Sequence, residues 1–147
     1  SDQRTIYSAG YPYGEAQGYF SGGAGLTSTI SDYARFLLAM LNGGELEGAR
    51  ILGRRTVQLM TRDHLVGLGV PPGGQQFGLG FSISGERGVT GGPRSYGAFG
   101  WLGFFNTVYW VDPEEQLVAI IMTQLYPNNQ SQLTDKFEVA VYSAILN

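Results

Sequence analysis

Serines and carboxylates are the side chains of this sequence that could do chemistry, because it contains no cysteine and one histidine, His64. A zinc site built from the usual thiolate and imidazole ligands is therefore excluded, and we predict neither a metal nor a cofactor. A catalytic serine needs a base beside it, and Ser-x-x-Lys on a helix provides one within a single turn. The only lysine is Lys136, and position 133 is Leu133, so this motif is absent.

Two other residues could contribute to acyl transfer. Ser95 lies in Gly92-Pro-Arg-Ser-Tyr-Gly97, which is one residue too long for a nucleophile elbow and is followed by no helical pattern. His64 follows a short helical pattern, and a cation is favourable at the C-terminal end of a helix. No nucleophile accompanies His64 in the sequence, so a role as catalytic base is not favoured. We therefore favour a loop position for Ser95 and a structural role for His64.

The carboxylates that cluster in sequence fall at turns, which favours solvated faces over an acid/base pair. These residues are Glu45, Glu47, Asp112, Glu114 and Glu115.

Composition excludes several classes of function. Nine basic residues against twelve acidic ones give a net charge of -3, and no basic run occurs, so a nucleic-acid partner is not expected. The same absence argues against a polybasic membrane anchor, and the longest apolar run, Leu117 to Met122, is too short to cross a bilayer. With 147 residues the chain has the size of one domain, and nothing in it indicates a cellular compartment.

Helices are predicted where apolar residues recur with a period of about 3.6 residues. Ile30 to Leu41 forms an amphipathic pattern with Thr29 as its N-cap, and Asn42-Gly-Gly44 supplies residues that end a helix. A second short helix is expected around residues 54–61. A third is expected from Leu133 to Ile145, with an apolar face that could dock on a sheet.

Strands are predicted between these helices. Residues 77–84 alternate apolar with small or polar side chains, and a glycine-rich loop follows over 85–97. A hairpin is predicted from two β-branched and aromatic runs, residues 104–111 and 116–123, joined by Asp112-Pro-Glu-Glu115. The second run is apolar throughout, so we expect both of its faces to be covered. This order predicts an α+β fold, an antiparallel sheet flanked by helices.

Six segments in this order resemble the C-terminal portion of the serine β-lactamase and penicillin-binding-protein superfamily, closest to class C β-lactamases and the related esterases. They are residues 22–36, 41–45, 55–60, 77–81, 99–103 and 109–115.

The resemblance implies an acyl-enzyme serine hydrolase that acts on an ester or amide. In that superfamily the Ser-x-x-Lys nucleophile and a tyrosine-containing second motif lie N-terminal to the portion matched here. Residues 1–147 are therefore expected to be a single piece, the C-terminal portion of a β-lactamase-like domain without its nucleophile, and to be inactive alone.

The third catalytic motif of the superfamily corresponds by resemblance to Trp101-Leu102-Gly103. These residues are expected to contact substrate, and the backbone N–H of Phe104 is expected to stabilise the oxyanion. The superfamily carries Lys-Thr-Gly, His-Thr-Gly or, in many esterases, Trp-Gly-Gly in this motif. Trp101 in place of a lysine that could pair with a carboxylate favours neutral substrates. Aromatic packing on a sheet remains the alternative for Trp101 and Phe104.

A different interpretation is a non-catalytic module of the same fold, which binds a small ligand or a protein across Trp101 to Phe105. Both interpretations predict a partner, because a sheet edge and apolar helix faces would otherwise meet water. We expect that partner to be the missing N-terminal half or, for the chain alone, further copies of itself in a dimer or larger assembly.

Overall fold

The computed structural model describes residues 23, 26–68, 76–85, 92–127 and 132–145. Its elements in chain order are α1 (Ile30–Leu41), β1 (Glu45–Leu46), β2 (Ala49–Arg50), α2 (Arg54–Met60), β3 (Gln76–Phe77), β4 (Ser82–Ile83), β5 (Phe99–Leu102), β6 (Val108–Asp112), β7 (Leu117–Ile121) and α3 (Leu133–Ser143).

Helix α1 begins and ends where the sequence predicts. The Thr29 hydroxyl accepts a hydrogen bond from the Asp32 N–H at 3.1 Å and donates one to the Asp32 carboxylate. At the other end Gly43 and Gly44 adopt positive φ angles, which only glycine tolerates readily. A Cβ at Gly44 would also overlap the carbonyl of Leu52, so this turn brings two backbone segments into contact.

Among the described residues, five antiparallel strands form the main sheet in the order β3-β4-β5-β6-β7, and β1 and β2 form a separate short hairpin. Phe99 pairs with Val111 at one end of β5, and Leu102 pairs with Val108 at the other end. Trp110 at the centre of β6 is opposite Ala119 of β7. The prediction of an α+β fold with an antiparallel sheet is confirmed.

Each face of the sheet carries its own apolar cluster. On one face α1 and α2 contribute Leu37, Met40 and Val57, which pack with Phe99 and Val111. On the other face the core residues and the α3 side chains that cover them are Val108, Trp110, Ala119, Phe137, Val141 and Tyr142. Because both faces are covered, β7 can be apolar at every position, as its sequence indicates.

Several element boundaries differ from the predictions. The single strand predicted over 77–84 is two short strands, because residues 78–81 make a turn in which the Gly78 N–H donates to the Phe81 carbonyl. The strand predicted from Phe104 begins at Val108, since residues 103–107 form the turn that joins β5 to β6. The β1–β2 hairpin was not predicted. Residues 86–91 of the predicted glycine-rich loop lie outside the described residues.

Helices α2 and α3 lie close to their predicted positions, with α3 ending two residues earlier than expected. No helix in the described part of the chain is both long and apolar enough to cross a bilayer.

Candidate active site

The four residues predicted to form the site lie at one end of β5, but they do not share one surface. Trp101 faces the α1 side of the sheet, where its indole meets Phe77 edge-on at 4.9 Å and remains 41% exposed. Leu102 faces the α3 side and is 62% exposed. Gly103 and Phe104 lie beyond the strand, and the ring of Phe104 stacks on Tyr126 at 4.5 Å.

The turn after β5 holds Gly103 in a tight geometry. The Gly103 N–H donates to the Thr107 carbonyl at 2.7 Å, and its carbonyl accepts from the Asn106 N–H at 3.1 Å. A Cβ at Gly103 would overlap Thr107 Oγ1, so the position requires glycine in this geometry. Asn106 adopts φ 61°, a conformation that asparagine tolerates better than most residues.

Segments after β7 brace this turn from the side. The Thr123 hydroxyl donates to the Phe105 carbonyl at 2.6 Å, and the Leu125 N–H donates to the same oxygen at 3.1 Å. From the first turn of α3, the Thr134 hydroxyl reaches Asn106 Oδ1 at 3.4 Å. Residues 101–106 and 122–126 together contain several exposed apolar side chains. We call this group the open end of the sheet.

Backbone alternation shows which way the amide of Leu102 faces. The Ala98 carbonyl accepts from the Ser84 N–H, and the Gly100 carbonyl accepts from the Ser82 hydroxyl, so alternate residues of β5 face β4. Leu102 continues this alternation, but the register of β4 ends at the Ser82–Gly100 pair. Among the described residues no strand lies opposite Leu102 on that side, so its backbone amide borders an open edge.

A cavity of about 370 Å³ lies between the end of β5 and the first turns of α3. Leu102, Gly103, Arg94, Asp135 and Glu138 contribute to its lining. Arg94 is already paired with Glu138 at 2.9 Å, and both side chains are largely buried. Glu138 therefore compensates the charge of Arg94 within the lining, while the buried Arg94 Nε–H has no hydrogen-bond partner among the described residues.

Paired polar groups lie at the opposite end of the strands, which we call the closed end, formed by Ser95, Asp112 and Tyr142. Asp112 is fully buried and accepts hydrogen bonds from the Tyr142 hydroxyl at 2.6 Å and the Ser95 N–H at 3.0 Å. Its second oxygen accepts from the N–H groups of two residues in the β6–β7 turn.

These contacts decide the charge of Asp112. Burial by itself would raise the pKa of this carboxyl, but the hydrogen bonds from Tyr142, Ser95 and Glu115 outweigh it and lower the pKa below its usual value. Burial and the hydrogen bond to Asp112 together raise the pKa of Tyr142. Asp112 is therefore an ionised acceptor, and Tyr142 remains a neutral donor.

The remaining candidates from the sequence have structural partners. Ser95 lies in the loop before β5, as predicted, with its backbone on Asp112. The His64 Nε2 is 2.7 Å from the Leu59 carbonyl near the end of α2. Glu45 and Glu47 each pair with a different arginine, Arg50 and Arg35 respectively, rather than with each other. The described residues contain no group of three potential metal ligands.

Comparison with known proteins places this geometry in a family. The Beta-lactamase family model matches residues 2–144, so the chain belongs to the Beta-lactamase family. This confirms the resemblance to the serine β-lactamase and penicillin-binding-protein superfamily.

Two curated relatives illustrate the match. Protein Rv1367c of Mycobacterium tuberculosis is 32% identical over 130 residues, which are 81% of this chain and 32% of that protein. A protein of Salmonella typhi, named as a candidate D-alanyl-D-alanine carboxypeptidase, is 32% identical over 127 residues, 82% of this chain and 25% of its own length. The chain thus spans a third or less of the length of these relatives.

Solved structures show the same fold. EstCE1, a hydrolase with promiscuous acyltransferase activity, superposes with a TM-score of 0.71 at 24% identity, covering 87% of this chain and 33% of EstCE1. A variant of simvastatin synthase from Aspergillus terreus superposes with a TM-score of 0.63 at 25% identity, covering 83% of this chain and 36% of the synthase.

Proposed function

We propose that this chain supplies one wall of the active site of a β-lactamase-like serine hydrolase, which cleaves a neutral ester or amide through an acyl-serine. The observation that carries the proposal is the family match over residues 2–144, combined with a strand end at Leu102 whose backbone borders an open edge. The nucleophile and its base come from a further portion of the protein, since no Ser-x-x-Lys occurs in these residues.

Trp101, Leu102 and Gly103 are the proposed contacts to substrate. Gly103 lies in the lining of the cavity beside Leu102, and Trp101 and Leu102 offer apolar surface on either side of the strand end. None of these side chains carries a charge to attract a carboxylate, which supports a neutral acyl substrate.

Two backbone N–H groups are candidates for the oxyanion donor. The family resemblance favours Phe104, and the alternation along β5 favours Leu102, whose amide borders the open edge. An N–H aimed at the developing oxyanion typically contributes ~3 kcal/mol of transition-state stabilisation.

A chimera tests the proposal with a defined nucleophile. The segment of EstCE1 that matches this chain is replaced by these residues, and hydrolysis of p-nitrophenyl acetate is measured alongside labelling by a serine-reactive phosphonate. We expect the chimera to hydrolyse the ester and to gain one phosphonate adduct by intact mass, and the 147-residue chain alone to do neither.

Proline substitutions in the chimera separate the two donors, because proline has no N–H. We expect Leu102→Pro or Phe104→Pro, whichever removes the donor, to lower kcat by roughly 100-fold, while Leu102→Ala and Phe104→Ala keep most of the activity. An adduct on the isolated chain would contradict the proposal. A folded chimera with neither activity nor adduct would favour the non-catalytic binding module instead.

A further inference from the structure

Two peptide units connect the side chain of Thr123 to the backbone N–H of Phe104. The Thr123 hydroxyl donates to the Phe105 carbonyl at 2.6 Å, and a longer contact of 3.0 Å joins it to the Asn106 carbonyl. The Asn106 N–H, which belongs to the same peptide unit as the Phe105 carbonyl, donates to the Gly103 carbonyl at 3.1 Å. That carbonyl shares its peptide unit with the Phe104 N–H, so the hydrogen bonds form a series that begins at Thr123.

The direction of the Phe104 N–H follows from this series. Both peptide units are trans and planar, so in each of them the N–H points opposite to the carbonyl. The Gly103 carbonyl points into the turn, where it binds the Asn106 N–H. The Phe104 N–H on the other side of that peptide plane therefore points out of the turn, and whatever holds the carbonyl also holds the N–H.

The Thr123 hydroxyl is itself well supported. It lies two residues after β7, whose five residues pair with β6 without interruption, and the Leu125 N–H donates to the same Phe105 carbonyl at 3.1 Å. The Thr123 side chain is half-buried, and hydrogen bonds are stronger there than in water. Bonds in series also polarise one another, so the bond from Thr123 makes the Phe104 N–H a stronger donor.

We propose that Thr123 is a positioning residue for the oxyanion donor, and we assign that donor to the Phe104 N–H. The Thr123 hydroxyl holds the Phe105 carbonyl, and the Asn106 N–H of the same peptide holds the Gly103 carbonyl. The Phe104 N–H is thereby oriented and polarised towards the negative charge that develops on the substrate. This inference rests on the proposed function, because it concerns the oxyanion of that reaction.

Thr123 also separates the two candidate donors. The Leu102 N–H belongs to the peptide between Trp101 and Leu102, which is held by the pairing of β5 with β6 and takes no part in the series from Thr123. Loss of the Thr123 hydroxyl should therefore lower kcat if Phe104 is the donor and leave kcat unchanged if Leu102 is the donor.

Substitutions of Thr123 in the EstCE1 chimera test the inference. Thr123→Val replaces the hydroxyl by a methyl group of similar size, and we expect kcat for p-nitrophenyl acetate to fall roughly 10-fold while KM changes by less than about twofold. The loss is smaller than for removal of the donor, because the Leu125 N–H still binds the Phe105 carbonyl. Thr123→Ser keeps the hydroxyl and should restore most of the activity. Dividing the rate by the number of active sites titrated with the phosphonate corrects for any unfolded protein.

Thr61→Val is the matched control. It removes a hydroxyl that donates to the Val57 carbonyl at 3.0 Å in α2, so it should lower stability and leave kcat unchanged. An active chimera in which Thr123→Val keeps its kcat, or in which Thr123→Ser loses as much as Thr123→Val, would overturn the inference and leave the proposed function intact. A folded wild-type chimera with neither activity nor adduct would overturn both.

An NMR measurement on the wild-type chimera needs no substitution. The phosphonate adduct places an oxygen where the oxyanion forms, so we expect the Phe104 amide proton to shift downfield on labelling. Because the hydrogen bonds act in series, the Asn106 amide proton should shift in the same direction by a smaller amount. A downfield shift at Leu102 in place of these two would overturn the inference, even if Thr123→Val does not fold.

Discussion

The two ends of the main sheet differ in the polarity and the burial of their side chains. At the closed end the polar side chains are buried or half-buried, and Asp112 alone accepts four hydrogen bonds. At the open end several large apolar side chains are exposed, with Phe104 at 55% and Leu102 at 62%. The same strands, β5 and β6, connect the two ends.

This difference indicates that the closed end stabilises the fold and that the open end is available for binding. Buried and satisfied polar groups are costly to disturb, because removing one partner leaves others without hydrogen bonds. Exposed apolar groups contribute little to folding and remain available to a ligand or partner. We therefore expect substitutions at the closed end to unfold the chain and most substitutions at the open end to leave it folded.

The largest effect is expected from Asp112→Ala. It leaves the N–H groups of Ser95, Glu114 and Glu115 and the Tyr142 hydroxyl without their acceptor in a buried site. We expect the free energy of unfolding to fall by more than about 3 kcal/mol, measured by urea denaturation. Tyr142→Phe removes one donor to Asp112 and the acceptor of the Trp110 indole N–H, and it should cost about 2 kcal/mol. Equal losses for the two variants would contradict the network described here.

Gly103→Ala tests the one position at the open end where we expect a substantial cost. The added Cβ would overlap Thr107 Oγ1, and we expect a loss of about 1–3 kcal/mol. Because the obstacle is a side-chain atom, Thr107→Ala in the same chain should restore much of that stability. A double-mutant cycle measures the coupling, and purely additive losses would show that the overlap is not the cause.

The stability of the closed end should also depend on pH, because Asp112 is ionised there. Because the pKa of Asp112 is lowered in the folded chain, its contribution is complete above its unfolded pKa of about 3.9 and is lost as pH falls through the folded value. The stability difference between wild type and Asp112→Asn should therefore be constant near neutral pH and shrink below about pH 4. A difference that is unchanged at pH 3 would show that the folded pKa is not lowered through these contacts.

The smallest effect is expected from Leu102→Ser. This side chain is mostly exposed, so we expect a change in unfolding free energy within about 0.5 kcal/mol. Acrylamide quenching provides a companion measurement, because Trp101 is exposed whereas Trp110 is fully buried. Trp101→Phe should remove most of the fluorescence that acrylamide quenches. A loss of unfolding free energy above about 1 kcal/mol for Leu102→Ser would contradict the distinction between the two ends.

Much of the fold could be predicted because the signals are local. The cap at Thr29, the period of α1 and the apolar run of β7 depend on neighbouring residues, and each element lies close to its expected position. The boundaries of β4, β5 and β6 could not be predicted in the same way. Their ends are set by register with strands distant in sequence, such as the Ser82–Gly100 pair.

The site shows the same division. Resemblance directed attention to Trp101, Leu102, Gly103 and Phe104, whose roles in catalysis stay predictions. Nothing in the sequence indicated that the Leu102 amide borders an open edge, because that depends on where β4 stops. The cluster around Asp112 was interpreted as a solvated turn, yet the structure buries this carboxylate under Tyr142, which lies 30 residues further along the chain.

By itself the sequence determined the class of fold, the absence of a Ser-x-x-Lys nucleophile and the glycine required after α1, since each follows from residue identity and short spacing. Only the tertiary structure decided that the Leu102 amide borders an open edge and that Asp112 lies buried. Those properties arise when strands and helices distant in sequence pack together, because pairing and burial depend on neighbours that the linear order does not specify.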